Sequence, residues 1–373
     1  MKDPHRLTAQ EVVARWDEFK TILDARSPSE YALDHLPGAS NAPVLDDEQR
    51  ARVGTANAEQ GGFESKRLGA VLVARNIAHL IESKFAQQPR SWSPLVYCWR
   101  GGQRSGSLAT VLARVGWSVS LIEGGYKAFR QAMLKDLHTR SASLRFRVIA
   151  GRTGTAKTRL LERLEQHGAQ ILDLEALARH RGSVLGQWPA STGVSSTQAS
   201  AQTLADQPSQ KRFESMLWAV IRRFDPGLPV FVESESRKIG QCQVPETMIM
   251  NIRASSLIQV EADVATRTRF LVEDYRHLCQ HDSPLINQLQ RLTALHGHER
   301  VAAWTTQARA GQWNALVESL LELHYDPAYD RSIRRNFPQL DKAQRIALDE
   351  ISPQRLDQAA QSILSQPGIN SKS

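Results

Sequence analysis

The sequence predicts two consecutive α/β units, each built on a parallel sheet, with a helical region after them. Three observations carry this. Short apolar strands alternate with amphipathic helices twice, once over residues 1–140 and again from residue 144, the pattern of a parallel sheet covered by helices. In each unit a glycine-bearing turn joins the end of an apolar strand to the start of a helix, at 98–105 and at 151–158. From residue 284 the apolar residues fall at helical spacing. The expected domains are therefore 1–140, 144–283 and a helical C-terminal region at 284–373.

Residues 7–19 read as a short helix, with Val12, Val13 and Trp16 at helical spacing. Residues 21–26 are a buried strand ending in charge. Ser27-Pro28-Ser29-Glu30 starts a helix, with Ser27 as cap, Pro28 at the first position and Glu30 closing a capping box. His35-Leu36-Pro37-Gly38-Ala39 is a turn, residues 39–45 return toward a strand, and 46–54 are a polar connection. An amphipathic helix follows at 69–85. The strand Leu95-Val96-Tyr97 runs into Cys98, and a helix opens near Ser105 with Leu108, Val111, Leu112 and Val115 on one face. Residues 119–123 are another strand, ended by Gly124-Gly125, and 126–138 are helical. Ser141-Ala142-Ser143 reads as a linker. In the second unit the strands are 145–150, 169–174, 229–235 and 256–261, and the helices are 159–166, 210–224 and 265–279. Residues 178–186 form a charged loop, 187–207 a polar excursion over a site, and 325–340 an irregular stretch. The tail from Ser365 is polar.

No apolar run approaches the ~20 residues that span a bilayer, and the first residues lack the apolar core of a secretory signal. No membrane partner is expected. The three cysteines, Cys98, Cys242 and Cys279, form neither a disulfide framework nor a metal-ligand spacing, so a reducing cytoplasm is the expected compartment. The eleven histidines show no metal spacing either. The net charge of +8 suits a polyanionic partner. The pairs Arg179/Arg181 and Arg222/Arg223 and the group Arg331/Arg334/Arg335 either track an RNA backbone or are solvated faces. No protein partner is predicted, and a monomer suffices.

Two stretches carry chemistry. In the first, Gly101 and Gly102 can turn backbone N–H groups toward an anion, with Arg100 and Arg104 beside them. Cys98 at the strand end is the candidate nucleophile in that positive setting. The spacing of Cys98 and Arg104, with five residues between them, is also that of cysteine-dependent phosphatases. In the second, Gly151-Arg152-Thr153-Gly154-Thr155-Ala156-Lys157-Thr158 matches the P-loop pattern at every position but one. Gly151, Thr153 and Gly154 would wrap a di- or triphosphate, Lys157 would reach its outer oxygens, and the Thr158 hydroxyl would fall on Mg²⁺ if a metal binds. The departure is Ala156, where the pattern has glycine. Its methyl group crowds the loop if that backbone is left-handed, which puts nucleotide hydrolysis in question. Asp173, Glu233 and Glu235 end neighbouring strands; one of them supports a metal, or they pair with Arg237 and Lys238. Arg267 and Arg269 stabilise phosphoryl groups or face solvent.

Asp24-Ala25-Arg26-Ser27-Pro28-Ser29-Glu30-Tyr31, then His35-Leu36-Pro37-Gly38-Ala39, then Cys98 in its turn, resemble a rhodanese-like domain in order and spacing. Its union with a P-loop domain is uncommon. The chain further carries Tyr97-Cys98-Trp99-Arg100-Gly101-Gly102-Gln103-Arg104-Ser105, Leu172-Asp173-Leu174-Glu175, His180-Arg181-Gly182-Ser183 and Glu233-Ser234-Glu235-Ser236-Arg237-Lys238-Ile239-Gly240. With these it resembles the tRNA 2-selenouridine synthase family, from about residue 22 to about residue 304. The resemblance implies a rhodanese-like domain followed by a P-loop NTPase-like α/β domain. It implies a transferase acting on tRNA that bears 2-thiouridine at the wobble position. Geranyl diphosphate first alkylates the sulfur, and selenium from selenophosphate then replaces the geranylated sulfur. On this view Cys98 is catalytic, and Arg100, Gly101, Gly102 and Arg104 bind selenophosphate. Gly151, Thr153, Gly154, Lys157 and Thr158 bind the diphosphate of geranyl diphosphate, with Asp173, Glu233, Glu235 and Arg237 in support. No tightly bound cofactor is implied beyond a Mg²⁺ at Thr158. Trp188 and Trp218 are candidates to line a geranyl pocket, with core packing the favoured reading of Trp218. The alternatives are a cysteine-dependent phosphatase, an ATP-using sulfurtransferase or kinase acting on RNA, and a non-catalytic RNA-binding protein.

Overall fold

The computed structural model describes residues 3–180, 207–274 and 285–366. Arg181, Trp188, Cys279 and most of the polar excursion lie outside the described residues. The chain divides into two compact units, Met1–Thr139 with Ser209–Arg222, and Arg140–Pro208 with Arg223–Ser373.

The first unit is a five-stranded parallel sheet. Its strands are β1 (His5–Leu7), β2 (Ile22–Asp24), β3 (Ser40–Asn41), β4 (Leu95–Tyr97) and β5 (Ser120–Ile122), in the order β1-β5-β4-β2-β3. Parallel strands are covered on both faces, so β4 is apolar throughout and Leu95, Val96 and Tyr97 are all fully buried. The central position of β4 puts Cys98 at the carboxyl end of the sheet, where ligands of such folds gather. β1 is too short to carry a periodic signal, and the first helix is confined to Ala9–Ala14, capped by Thr8 and Glu11. The expected polar connection at 46–54 is instead a helix, Asp47–Glu59, held at its start by an Asp46–Gln49 capping box. Only Ala56 in it is buried, so it has no apolar stripe to read. The next helix begins at Gly62, earlier than its apolar periodicity does, and runs to Leu80.

Helix Gln210–Ile221 belongs to this first unit, whereas its place in the sequence assigns it to the second. Phe213, Leu217, Trp218 and Ile221 form its buried face, and Trp218 packs against Trp16 and Phe129 with ring centroids 5.0 and 5.7 Å away. Trp218 is thus core, not the lining of a ligand pocket. Polar bonds fix the same helix. Asp34, 2% exposed, accepts from Tyr126 Oη at 2.7 Å and Ser215 Oγ at 3.1 Å, and pairs with Arg130 at 3.4 Å. Arg130 also pairs with Glu214. Replacing Asp34 with alanine leaves these donors facing each other in a dry site. Asp34→Ala should lower stability by about 3 kcal/mol, read as a fall in the urea midpoint of the first unit; an unchanged midpoint would show the network to be dispensable.

The second unit repeats the plan. Its strands β6 (Phe146–Ala150), β7 (Gln170–Leu172), β8 (Val230–Glu233), β11 (Ser256–Glu261) and β12 (Gln344–Ala347) are parallel, in the order β12-β11-β6-β8-β7. A small antiparallel hairpin, β9 (Lys238–Ile239) with β10 (Cys242–Gln243), lies after β8. Residues 141–143 are the last turn of helix Gly125–Ser143 and not a linker. The C-terminal region is mostly helical but returns β12 to the sheet edge. The irregular stretch expected at 325–340 is largely a helix, Asp326–Asn336, with Pro327 in its first turn. Helix Pro353–Leu364 buries Leu356, Ala359, Ala360 and Ile363 with Leu160, Leu161 and Leu164 of helix Lys157–Gln166. Among the described residues, no helix is long and apolar enough to cross a membrane.

Candidate active sites

Cys98 ends β4 and is 3% exposed, packed in the core of the first unit. Its Sγ accepts a hydrogen bond from Ser105 Oγ at 3.0 Å, one helical turn into Gln103–Val115. The turn between them is pinned from behind. Tyr126 N–H donates to the Cys98 carbonyl at 2.8 Å, Lys127 N–H donates to Trp99 O at 3.1 Å, and the Trp99 and Tyr126 rings stack at 5.3 Å. The backbone here is so close that a Cβ on Gly125 would lie 2.3 Å from the Cys98 carbonyl oxygen. Glycine is required there by contact as well as by its φ of +57°. Gly101 has a φ of +65°, and Gly102 caps the helix. Their N–H groups stand at the start of a 13-residue helix, where the dipole favours an anion.

The two arginines of the turn differ. Arg100 is exposed and has no ion-pair partner among the described residues. Arg104 is largely buried and grips Glu30, with Nη1 2.6 Å and Nη2 3.3 Å from its carboxylate oxygens. Glu30 is also the residue that closes the Ser27 capping box. Burial opposes its charge, but Arg104, the Ser27 amide and Arg50 together hold its carboxyl below the ordinary value. Arg104 thus ties the turn to helix Pro28–Leu33, which Ser27 caps. The signal was present in Glu30, whose capping role hid a second one.

The phosphate loop follows β6, the central strand of the second sheet. Lys157 Nζ donates to the Gly151 carbonyl at 2.9 Å, closing the loop on itself. Thr158 Oγ1 donates to Glu233 Oε1 at 2.7 Å. Burial raises the Glu233 carboxyl, with Lys157 and Thr158 pulling the other way. Gly154 is left-handed at φ +87°, and a Cβ there would meet Leu271 and Arg267 at about 3 Å. Ala156 is left-handed too, with φ 56° and ψ 37°, as the glycine pattern demands. That conformation costs alanine roughly 1 kcal/mol. Its methyl group is buried with Leu160, Val260 and Leu356, which offsets part of the cost.

Residues remote in sequence complete the loop. Gly151 N–H donates to Tyr329 Oη at 2.7 Å. Arg267, 1% exposed, donates to Thr153 O at 3.1 Å and forms a two-bond pair with Asp326 at 2.8 and 2.7 Å. Arg152 pairs with Asp330 at 2.7 Å. Arg267 is thus a brace of the loop, whereas Arg269 Nη2 donates to Thr266 Oγ1 at 3.2 Å and its charge acts on Asp263. Asp173 accepts from Ala176 N–H at 2.8 Å as a helix cap, and Arg237 pairs with Glu246 at 2.5 Å. Neither is hydrogen-bonded to the loop among the described residues, though the Asp173 charge helps raise the Glu233 carboxyl. Among the described residues no group of three or more His, Cys, Asp or Glu side chains converges as a metal site.

Glu235 lies two residues past Glu233, beyond the end of β8. Its pKa is pushed up to about 8, by burial first and then by Glu175 and Glu233. Between the ordinary value of 4.5 and about 8 the folded chain holds a proton that the unfolded chain has lost. This contribution is complete below 4.5 and is lost as pH rises through about 8. Thermal midpoints measured across that window should fall with rising pH, and Glu235→Gln should flatten the fall; equal slopes for both proteins would contradict the assignment.

Comparison with known proteins agrees with this architecture. The model of the tRNA 2-selenouridine synthase AAA domain matches residues 144–346, and that of the rhodanese-like domain matches residues 8–132. Curated proteins named tRNA 2-selenouridine synthase are similar over much of their length. One from Marinobacter nauticus is 33% identical over 83% of this chain and 87% of its own. One from Nitrosomonas europaea is 36% identical over 68% of this chain and 63% of its own. One from Alcanivorax borkumensis is 30% identical over 84% of this chain and 90% of its own.

Proposed function

The chain belongs to the tRNA 2-selenouridine synthase family of tRNA-modifying transferases, and from that premise we propose that its two glycine turns divide two reactions on 2-thiouridine at the tRNA wobble position. The observation that supports the division is their likeness of place and difference of chemistry. Each follows the central strand of its own parallel sheet, one with a thiol and one with a lysine.

In the first reaction the thiocarbonyl sulfur attacks C1 of geranyl diphosphate. The C–S bond forms, the C–O bond to diphosphate breaks, and the N3 proton of the uracil leaves. The phosphate loop holds the diphosphate. Lys157 exchanges the Gly151 carbonyl for a diphosphate oxygen, and loop N–H groups take the rest of the charge. Thr158 and Glu233 would hold a Mg²⁺, to which they offer the hard oxygen donors it prefers; it would neutralise the leaving diphosphate. No nucleotide hydrolysis is needed.

In the second reaction selenium of selenophosphate attacks C2. The bond to the geranylated sulfur breaks, and geranylthiolate leaves with a proton from solvent. The Cys98 thiolate then attacks phosphorus: the Se–P bond breaks to release 2-selenouridine, which takes a proton from solvent, an S–P bond forms, and water cleaves that bond to give phosphate and the free thiol. S-Alkylation has turned a poor leaving group into a better one. The Cys98 turn holds the selenophosphate, with Arg100 as its cation, while Arg104 and Glu30 keep the turn in shape. The exposed Arg331, Arg334 and Arg335 offer charge to the RNA backbone.

Mass spectrometry of nucleosides from 2-thiouridine tRNA tests this. Incubation with geranyl diphosphate should yield S-geranyl-2-thiouridine, and later selenophosphate should convert it to 2-selenouridine. Selenouridine formed at full rate without geranyl diphosphate would overturn the sequence of steps.

A further inference from the structure

A cavity of about 640 Å³ lies within the first unit, between helix Gly62–Leu80 and the opening turns of helix Gln103–Val115. Val73, Ala74, Ile77, Val111 and Leu121 make its walls mostly apolar. One end is formed by the backbones of Gly101, Gly102 and Gly106, the turn that follows Cys98 and the helix start it caps. It is an open groove, with Ala70 and Ala74 exposed on its rim, and its volume is that of small-ligand sites. Its occupant must therefore be apolar along most of its length and polar at the end that meets the glycine turn. Val111, 38% exposed, presents apolar surface toward this space.

We infer that this cavity seats the ten-carbon geranyl chain of S-geranyl-2-thiouridine while selenium displaces the sulfur at the Cys98 turn. The inference rests on the two-step reading above and adds where the chain lies. The shape of the site fits the chemistry of the step. The uracil C2 and its sulfur must reach the anion-binding turn, so the chain attached to that sulfur must run away from it. The cavity runs from that turn along the helix face. The alternating short side chains Ala70 and Ala74 leave room for methyl branches. A second cavity of about 650 Å³, in the second unit, is lined by Arg152, Asp330, Arg334, Asp341 and Arg345, a charged wall that would cost an apolar chain its hydration gain.

The test uses the full chain, with Ala74→Trp to fill the cavity and Ala70→Trp one turn away as a second filling variant. Both positions are exposed, so an indole there disturbs no core packing. Selenation by selenophosphate is followed on tRNA carrying S-geranyl-2-thiouridine and on tRNA carrying the five-carbon S-dimethylallyl homologue. The expected result is a KM for the geranyl substrate raised at least tenfold, with the dimethylallyl substrate little affected. Unchanged KM for the geranyl substrate in both variants overturns the assignment, as does an equal loss on both substrates. A wild-type chain that selenates neither substrate overturns the two-step reading itself, and this inference with it.

Discussion

Cys98→Ser should abolish the conversion of S-geranyl-2-thiouridine to 2-selenouridine, by about a thousandfold or more, and leave geranylation near the wild-type rate. Serine differs from cysteine by one atom. It retains the backbone of the turn, the Tyr126 bond to the residue-98 carbonyl and the fit against Gly125, so the anion cradle survives. What is lost is the polarisable sulfur that Ser105 holds in place. The variant therefore separates a chemical role for the thiol from a structural one. Liquid chromatography with mass detection of both nucleosides reads the two steps in one sample. A variant that still made selenouridine at the normal rate would remove Cys98 from the reaction.

The opposite profile is expected of Lys157→Ala. Among the described residues the Lys157 ammonium has no ion-pair partner and donates to a backbone carbonyl, Gly151 O at 2.9 Å. Arg152 and Arg267 are held by Asp330 and Asp326. Removing Lys157 strips the charge that would meet a leaving diphosphate, and geranylation should fall by roughly two to three orders of magnitude. Selenation of tRNA that is already geranylated should continue. Loss of both steps together would sink the division of labour between the loops.

The parts of this molecule that were legible in its sequence are those where burial is complete. β4 and β6 lie at the centres of their sheets; β4 reads as an unbroken apolar run and β6 as an apolar run broken only at Arg147, and each leads into a glycine turn. The strand–turn–helix context of both turns is thus legible in the sequence. Helix Asp47–Glu59 was not found, because a helix with one buried residue leaves no periodic trace. Helix Gln210–Ile221 was found but misassigned, since nothing local tells which sheet an amphipathic face will cover. The partners of the site residues were the least legible. Tyr329 meets Gly151 across 178 residues of sequence, and Glu30 meets Arg104 across 74. Such pairs are set by topology, and no spacing rule reaches them. The cavity beside the Cys98 turn is of the same kind. Its walls come from helix Gly62–Leu80, β1, β5 and helix Gln103–Val115, and Trp218, a sequence candidate for a geranyl pocket, is not among the described residues that line it.

The most direct test of the account is a relay between the two variants. Tubes of 2-thiouridine tRNA are treated with Cys98→Ser protein and geranyl diphosphate, the tRNA is repurified, and Lys157→Ala protein is added with selenophosphate. The account predicts 2-selenouridine from this order and none from the reverse order. An absence of 2-selenouridine in the forward relay, with both variants folded, would contradict the claim that each turn carries one step.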